Sequence, residues 1–228
     1  MLFDEIVIAL DPEPHSAAFN MALDELLLKQ AQCPMLRIYR WSVPTISFGY
    51  FGKFSEAQQA AVGRDVVRRW TGGGIVEHGA DVTYTLVVPR EAAFSRHSAS
   101  ESYRLIHEQI ARWLVTRGLE AIVAPAAAAG SASACFASHV QYDVLIDGIK
   151  IAGAAQRRGR WGLLHQGSIL GAHGQNGGRA PLSIDDPIEL AQWFATDLRP
   201  QPISTEWMTF ADQLAREKYA TESWLKKH

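Results

Sequence analysis

The run RRWTGGGIVEHGADVTYTLVV, residues 68–88, gathers side chains and glycines that could handle an anionic ligand. Gly72, Gly73 and Gly74 carry no Cβ, which leaves their backbone N–H groups open to an approaching carboxylate or phosphate. Arg68, Arg69 and His78 flank the same turn. Two readings stand: a site addressed to an anion, or a bend between strands with polar neighbours. The spacing is neither that of a nucleoside-triphosphate loop nor that of the dinucleotide fingerprint.

A second cluster lies on a hairpin. With Asp147 and Gly148 as the two turn residues, Ile146 faces Ile149 and Leu145 faces Lys150, which puts Lys150 diagonal to Asp143 on one face. Val140, Tyr142, Val144, Ile146, Ile149 and Ile151 then form the other face, expected to be core. Lys150 is either a solvated partner of Asp143 or a cation in a groove, where it would bind a carboxylate or stabilise a developing oxyanion. Gly153 suits a sheet irregularity or the close approach of a ligand.

Cys135 and Cys33 are the two cysteines, far apart and without metal-ligand spacing, so no metal is expected. Cys135 is either inert and buried or a nucleophile activated by His139, His165 or Lys150. Cys33 carries a structural role or none. His165 and Gln166 read as polar residues at a strand end, and Asn20 and Asp24 as a helix pair at the surface or at a groove mouth. Trp70 and Trp161 suit core or groove edges.

The elements that must position these residues can be read from periodicity and stop signals. Helices are expected at 16–29, with Ser16 as N-cap and Phe19, Leu23, Leu26 and Leu27 on its apolar side, at 55–61, and at 100–117, with Gly118 as the stop. Strands are expected at 3–10, 35–41, 45–50, 65–70, 82–88, 140–146, 149–153 and 162–170. Two further helices, at about 186–196 and 204–225, are expected near the C-terminus. The mixture without a regular βαβ repeat predicts an α+β fold, a mixed β-sheet with packed helices. A chain of 228 residues can bury a sizeable core without disulfides. With 22 basic and 24 acidic side chains the formal charge of −2 gives no sign of a nucleic-acid partner, despite Arg157, Arg158 and Arg160 in one turn. No apolar run or basic leader suggests a membrane or export signal, so a cytoplasmic monomer is the expectation.

The blocks AsnMetAlaLeuAspGlu (20–25), RRWTGGGIVEH (68–78), YDVLIDGIKIAGAAQRR (142–158) and LLHQGSIL (163–170), in that order, resemble the lipoate-protein ligase A and octanoyltransferase family. That family shares its catalytic fold with biotin-protein ligases and, more distantly, class II aminoacyl-tRNA synthetases. The resemblance implies one catalytic domain over residues 1–228, with 172–228 as its C-terminal helical part. It implies an acyl site formed by Arg69, Gly72, Gly73, Gly74 and His78, with Asp143, Gly153 and His165 also binding substrate and Lys150 at the acyl carboxylate or activated carbonyl. Ile149 departs from the pattern, standing where a basic residue is common, which weakens an extra phosphate contact. The Cys135-Phe136 pair looks like the thiol motif of the cysteine-dependent octanoyltransferase branch, whose enzyme thioester needs no cofactor. Octanoyl-acyl carrier protein is then the donor, and a lipoyl domain or glycine-cleavage H protein the acceptor. The alternative is the ligase branch, which uses ATP and Mg²⁺ to form lipoyl-AMP.

Overall fold

The computed structural model describes residues 1–128, 139–170 and 187–227. Strand β1 (Phe3–Leu10), helix α1 (Ala17–Gln30) and strand β2 (Met35–Tyr39) open the chain, and β1 pairs parallel with β2. A short layer follows: β3 (Thr45–Phe48), α2 (Phe54–Ala61), β4 (Asp65–Arg68) and β5 (Val76–His78). Next come β6 (Val82–Pro89), a 3₁₀ turn (Ala93–Arg96), α3 (Ala99–Thr116), β7 (Ala121–Val123), β8 (Val144–Ile146), β9 (Ile149–Gly159) and β10 (Gly162–Ile169). The last part holds α4 (Ile188–Ala191), β11 (Ala195–Pro202), α5 (Thr205–Leu214), a π-helical turn (Ala215–Tyr219) and α6 (Glu222–Leu225).

Among the described residues the strands form a mixed eight-stranded sheet, ordered β11-β1-β2-β6-β10-β9-β8-β7, and a smaller sheet, ordered β4-β3-β5. Strand alternation divides the core. Ile6, Ile8, Leu36 and Leu163 pack with Ile106, Ile110, Trp113 and Leu114 of α3. Val7, Ala9, Met35 and Leu164 pack with α1, over which Ala211 and Tyr219 close. Ser16 caps α1 as expected, its hydroxyl accepting from the Phe19 N–H at 3.3 Å. The helix is enclosed rather than one-sided: Asn20, Asp24 and Glu25 are as buried as its leucines. Among the described residues no helix is long and apolar enough to cross a membrane.

Three expectations are corrected. The expected helix over 186–196 shrinks to α4, and its end joins β11, which pairs parallel with β1 from Phe3↔Ala195 to Leu10↔Pro202. The sequence ATDLRPQP hides this strand because an edge position tolerates proline and exposed polar residues. The helix expected at 204–225 is broken by the π-helical turn and by Thr221, which caps α6. In the hairpin, Leu145↔Lys150 and Ile146↔Ile149 pair as expected, and Asp147 and Gly148 take φ of 51° and 76°. Val140 and Ile149, however, are exposed rather than core. The Asp143 carboxylate accepts the Val140 N–H at 2.8 Å and Tyr142 turns at φ 72°, so the strand begins only at Val144.

Candidate functional site

The glycine turn is held from inside by arginine. Arg69 Nη2 donates to the carbonyls of Gly72 at 3.0 Å and Gly74 at 2.8 Å, while Nη1 donates to Ser47 Oγ at 2.7 Å. A planar guanidinium fork suits two carbonyls that converge this way. Gly73 takes φ +84°, and a Cβ there would meet Arg69 Nη2 at 3.2 Å and Ala155 Cβ at 3.3 Å. Gly49 passes closer still, since a Cβ on it would lie 1.9 Å from the Gly73 carbonyl oxygen. Arg68 points elsewhere, binding the carbonyls of Tyr50, Gly52, Trp224 and Leu225. Arg68 and Arg69 therefore shape backbone on two sides of the strand's end and do not converge on one point.

Beside the turn, β5 and β6 build a polar wall around Asp81. Its carboxylate meets His78 Nδ1 at 2.8 Å and accepts from Thr83 Oγ1 at 2.9 Å and Ser168 Oγ at 2.6 Å. His78 Nε2 meets Ser47 Oγ at 2.6 Å, and the Trp41 ring stacks on the imidazole with centroids 4.3 Å apart. Burial by itself would raise the Asp81 carboxyl, but the facing His78 charge and these hydrogen bonds outweigh it and lower it to about 2. Ser47, His78 and Asp81 thus line up like a hydrolytic triad. Ser47 is fully enclosed, however, and its oxygen also accepts from Arg69, so the line joins the wall to the glycine turn.

Lys150 reaches the site from the hairpin. Its ammonium lies 2.8 Å from Asp143 Oδ2, with the lysine side chain 10% exposed and the aspartate fully buried. Tyr103 of α3 donates to the other carboxylate oxygen at 2.6 Å and accepts the Ala154 N–H at 2.9 Å. Burial and the neighbouring Asp143 charge push the Tyr103 phenol well up, keeping it a donor. Gly153 makes room for this meeting: a Cβ there would lie 2.4 Å from Lys150 Cε and 3.2 Å from Asp143 Oδ1.

These pieces enclose one narrow cavity of ≈ 50 Å³ between the small sheet and the face of β9 and β10 that looks toward α1. Arg69, Gly73, Gly74, His78, Lys150 and Gly153 line it, with Met21, Tyr39, Trp41 and Val76 as its apolar part. Gly72 lines an adjoining open cleft of ≈ 360 Å³ that shares Gly73, Ala154 and Ala155 with the cavity. Asp143 stands behind Lys150 rather than on the cavity wall.

His165 is not brought to the cavity. Alternation along β10 sends Gln166 and Ser168 there and turns His165 to the α3 side, where its ring meets Tyr84 and Gln156 at 3.0 Å each and packs 5.6 Å from His107. Cys135 and Phe136 lie outside the described residues. Sequence reasoning passed over Ser47, Asp81 and Tyr103 and read Gln166 only as a polar residue at a strand end. Gln166 donates to Asp24 at 2.7 Å and accepts from Thr71 at 2.7 Å, linking α1 to the glycine turn. The signals were the His-x-x-Asp spacing of 78 and 81 and the alternate polar residues 166 and 168 in an apolar strand.

The lipoyl protein ligase A/B catalytic domain matches residues 16–173, a segment that holds all of these elements. The chain belongs to that family. It is 41% identical to octanoyltransferase LipM of Kyrpidia tusciae over 170 residues, 68% of this chain. That match spans 62% of the relative's own length, less than two thirds of it. The fold is similar to that of lipoate-protein ligase A bound with ATP, with TM-score 0.73 at 21% identity over 98% of this chain and 99% of that one. Protein Ta0514 of T. acidophilum with bound lipoic acid aligns equally well, with TM-score 0.73 at 21% identity over 98% and 99%. The α+β class and mixed sheet of this family fold agree with the sequence expectation.

Proposed function

We propose that this chain transfers an octanoyl or lipoyl group from an acyl-carrier donor to the acceptor lysine of a lipoyl-carrier protein. The observation that carries this reading is the ammonium at the wall of the cavity: Lys150, backed by Asp143, lines the same narrow space as Arg69, the glycine turn and His78. The polar groups on that wall bond one another, His78 with Asp81 and Ser47, Gln166 with Asp24 and Thr71, Ser168 with Asp81. An alkyl chain can lie against such groups without stripping any of its partner, which is the main obstacle to mixing apolar ligands with polar walls. Lys150 suits the polar end of the acyl group, where charge develops on the carbonyl oxygen.

For the route, we infer a thioester on Cys135, supported by that cysteine in the sequence and by the likeness to LipM. The Cys135 sulfur attacks the octanoyl thioester carbonyl of the donor carrier and the donor thiol leaves with the proton. The acceptor lysine amine then attacks the enzyme thioester, an amide forms, and the Cys135 thiol is regenerated. A second route shares the cavity and is favoured by the likeness to a ligase solved with ATP. There the open cleft at Gly72, Gly73 and Gln156 would take the nucleotide with Mg²⁺, which supplies activation of a free carboxylate.

Intact mass after incubation with octanoyl-acyl carrier protein tests the first route: one octanoyl increment is expected, absent in Cys135→Ala. Acyl-adenylate formed from free acid and ATP, and persisting in Cys135→Ala, would give the second. No adduct, no adenylate and no acylation of an apo-lipoyl domain would overturn both.

A further inference from the structure

A basic aromatic platform adjoins the cavity. Tyr50, Trp70 and Trp161 form its floor, with the two indoles 5.9 Å apart. Arg157 lies 4.5 Å over Trp70 and 5.2 Å over Tyr50, Arg160 lies 4.0 Å over Trp161, and Lys227 lies 4.9 Å over Tyr50. Lys218 and Lys29 reach the same indoles, at 4.8 Å and 5.7 Å from Trp70. These two share a single carboxylate, Glu25, while Arg157, Arg160 and Lys227 have no acidic group at salt-bridge distance among the described residues. The charges converge on one another: hydrogen bonding and charge from Lys227, then Arg157 and Lys218, lower the Tyr50 phenol. So a chain of net charge −2 concentrates positive charge on one face.

The platform touches the site. Arg157 Nη1 donates to the Trp70 carbonyl at 3.2 Å, two residues before the glycine turn, and Arg157 lies two residues beyond Ala155, which lines both the cavity and the open cleft. Arginine and lysine held over aromatic rings keep their cationic heads in place at the surface.

We propose that this platform docks an acidic face of the acceptor lipoyl-carrier domain and so aims its acceptor lysine at the cleft. The proposal rests on the carrier-directed transfer above and names the partner's surface chemistry. Rim charges of this kind act on encounter and on salt dependence.

The test uses the full chain with an apo-lipoyl domain of net negative charge, and Nα-acetyl-lysine amide as a small acceptor. In Arg160→Glu/Lys227→Glu, KM for the domain should rise at least about tenfold, with kcat and the small-acceptor rate unchanged. Raising salt should weaken the wild type toward the variant. Equal KM in the two proteins, or an equal fall with both acceptors, would overturn the platform. Binding of the domain is followed separately by fluorescence anisotropy. Salt-sensitive binding that the variant loses, without any turnover, would keep the platform and sink the transfer reading. Displacement of the domain by stoichiometric oligo(dT) would show the cation and ring pattern to be a single-strand site instead, and overturn the proposal.

Discussion

Arg37 and Lys150 each face a fully or almost fully buried aspartate, yet the two pairs differ in their surroundings. Arg37 is sealed, with side-chain exposure of 0%, and bonds Asp11 at 2.6 Å, Asp24 at 2.7 Å and Asn20 at 2.6 Å. Asp24 in turn accepts from Thr85, Gln166 and Tyr39. Lys150 sits 10% exposed on a cavity wall, beside a glycine that clears its path. The difference lies in what surrounds the cation: in the first pair every direction is filled by protein, and in the second the cation borders open space.

That contrast breaks most readily at Arg37. Arg37→Met leaves Asp11 and Asp24 buried without their cation, and removing one partner of such a pair typically costs about 3–5 kcal/mol. Urea unfolding should show this loss, while activity per folded molecule persists. A loss below about 1 kcal/mol would mean that the network relaxes or admits water, and the contrast would fail.

Lys150→Ala is the reciprocal experiment. Acyl transfer should drop by about 10²–10³-fold, the range seen when one stabilising donor at a developing oxyanion is removed. Gly153→Ala should mimic it in part, because a Cβ 2.4 Å from Lys150 Cε must displace the ammonium. Transfer rates within about threefold of wild type in Lys150→Ala would return the lysine to the status of a structural partner of Asp143.

A third test concerns the other side of Asp143, where burial of His107 outweighs the opposing pull of the Asp143 charge and of the Tyr142 carbonyl. Desolvation lowers His107 to about 4, against an unfolded value of 6.5, and holds His165 well below that value too. Both groups bind protons more readily in the unfolded chain, so their contribution is complete above pH 6.5 and fades as pH falls toward 4. For His107 the shift corresponds to about 3 kcal/mol. His107→Gln keeps a donor for the Tyr142 carbonyl, which His107 Nδ1 meets at 2.6 Å, but cannot titrate. Urea stability measured from pH 7.5 to 4.5 should therefore fall less steeply in the variant. Parallel curves would show that water reaches the histidine pair.

The sequence carried the local half of this site and little of the rest. The AspGly turn fixes two-residue geometry, so the Leu145↔Lys150 register and the diagonal to Asp143 follow from chain chemistry alone. The glycine run was visible, but its real contacts are tertiary: Gly49 against Gly73, and Arg69 against the turn's own carbonyls. Which way His165 faces depends on a strand's phase, and one residue of register decides between the cavity and α3. Strand β11 was hidden because its neighbour β1 precedes it by nearly the whole chain. The family's fold was legible from four ordered blocks, whereas the role of Cys135 rests on sequence, since that residue lies outside the described ones.

The smallest expected effect completes the series. Arg64 and Glu77 form an ion pair at 2.7 Å with side chains 40% and 69% exposed, joining the start of β4 to β5 near the glycine turn. Water screens both charges and ordering two long side chains opposes the attraction, so such pairs contribute about 0–1 kcal/mol. Arg64→Ala should shift the urea midpoint only marginally and leave acyl transfer unchanged, and 1 M salt should erase even that difference. A larger, salt-resistant loss would mean that distance alone governs these pairs, and the distinction between Arg37, Lys150 and the surface would have to be drawn on something other than what surrounds the charge.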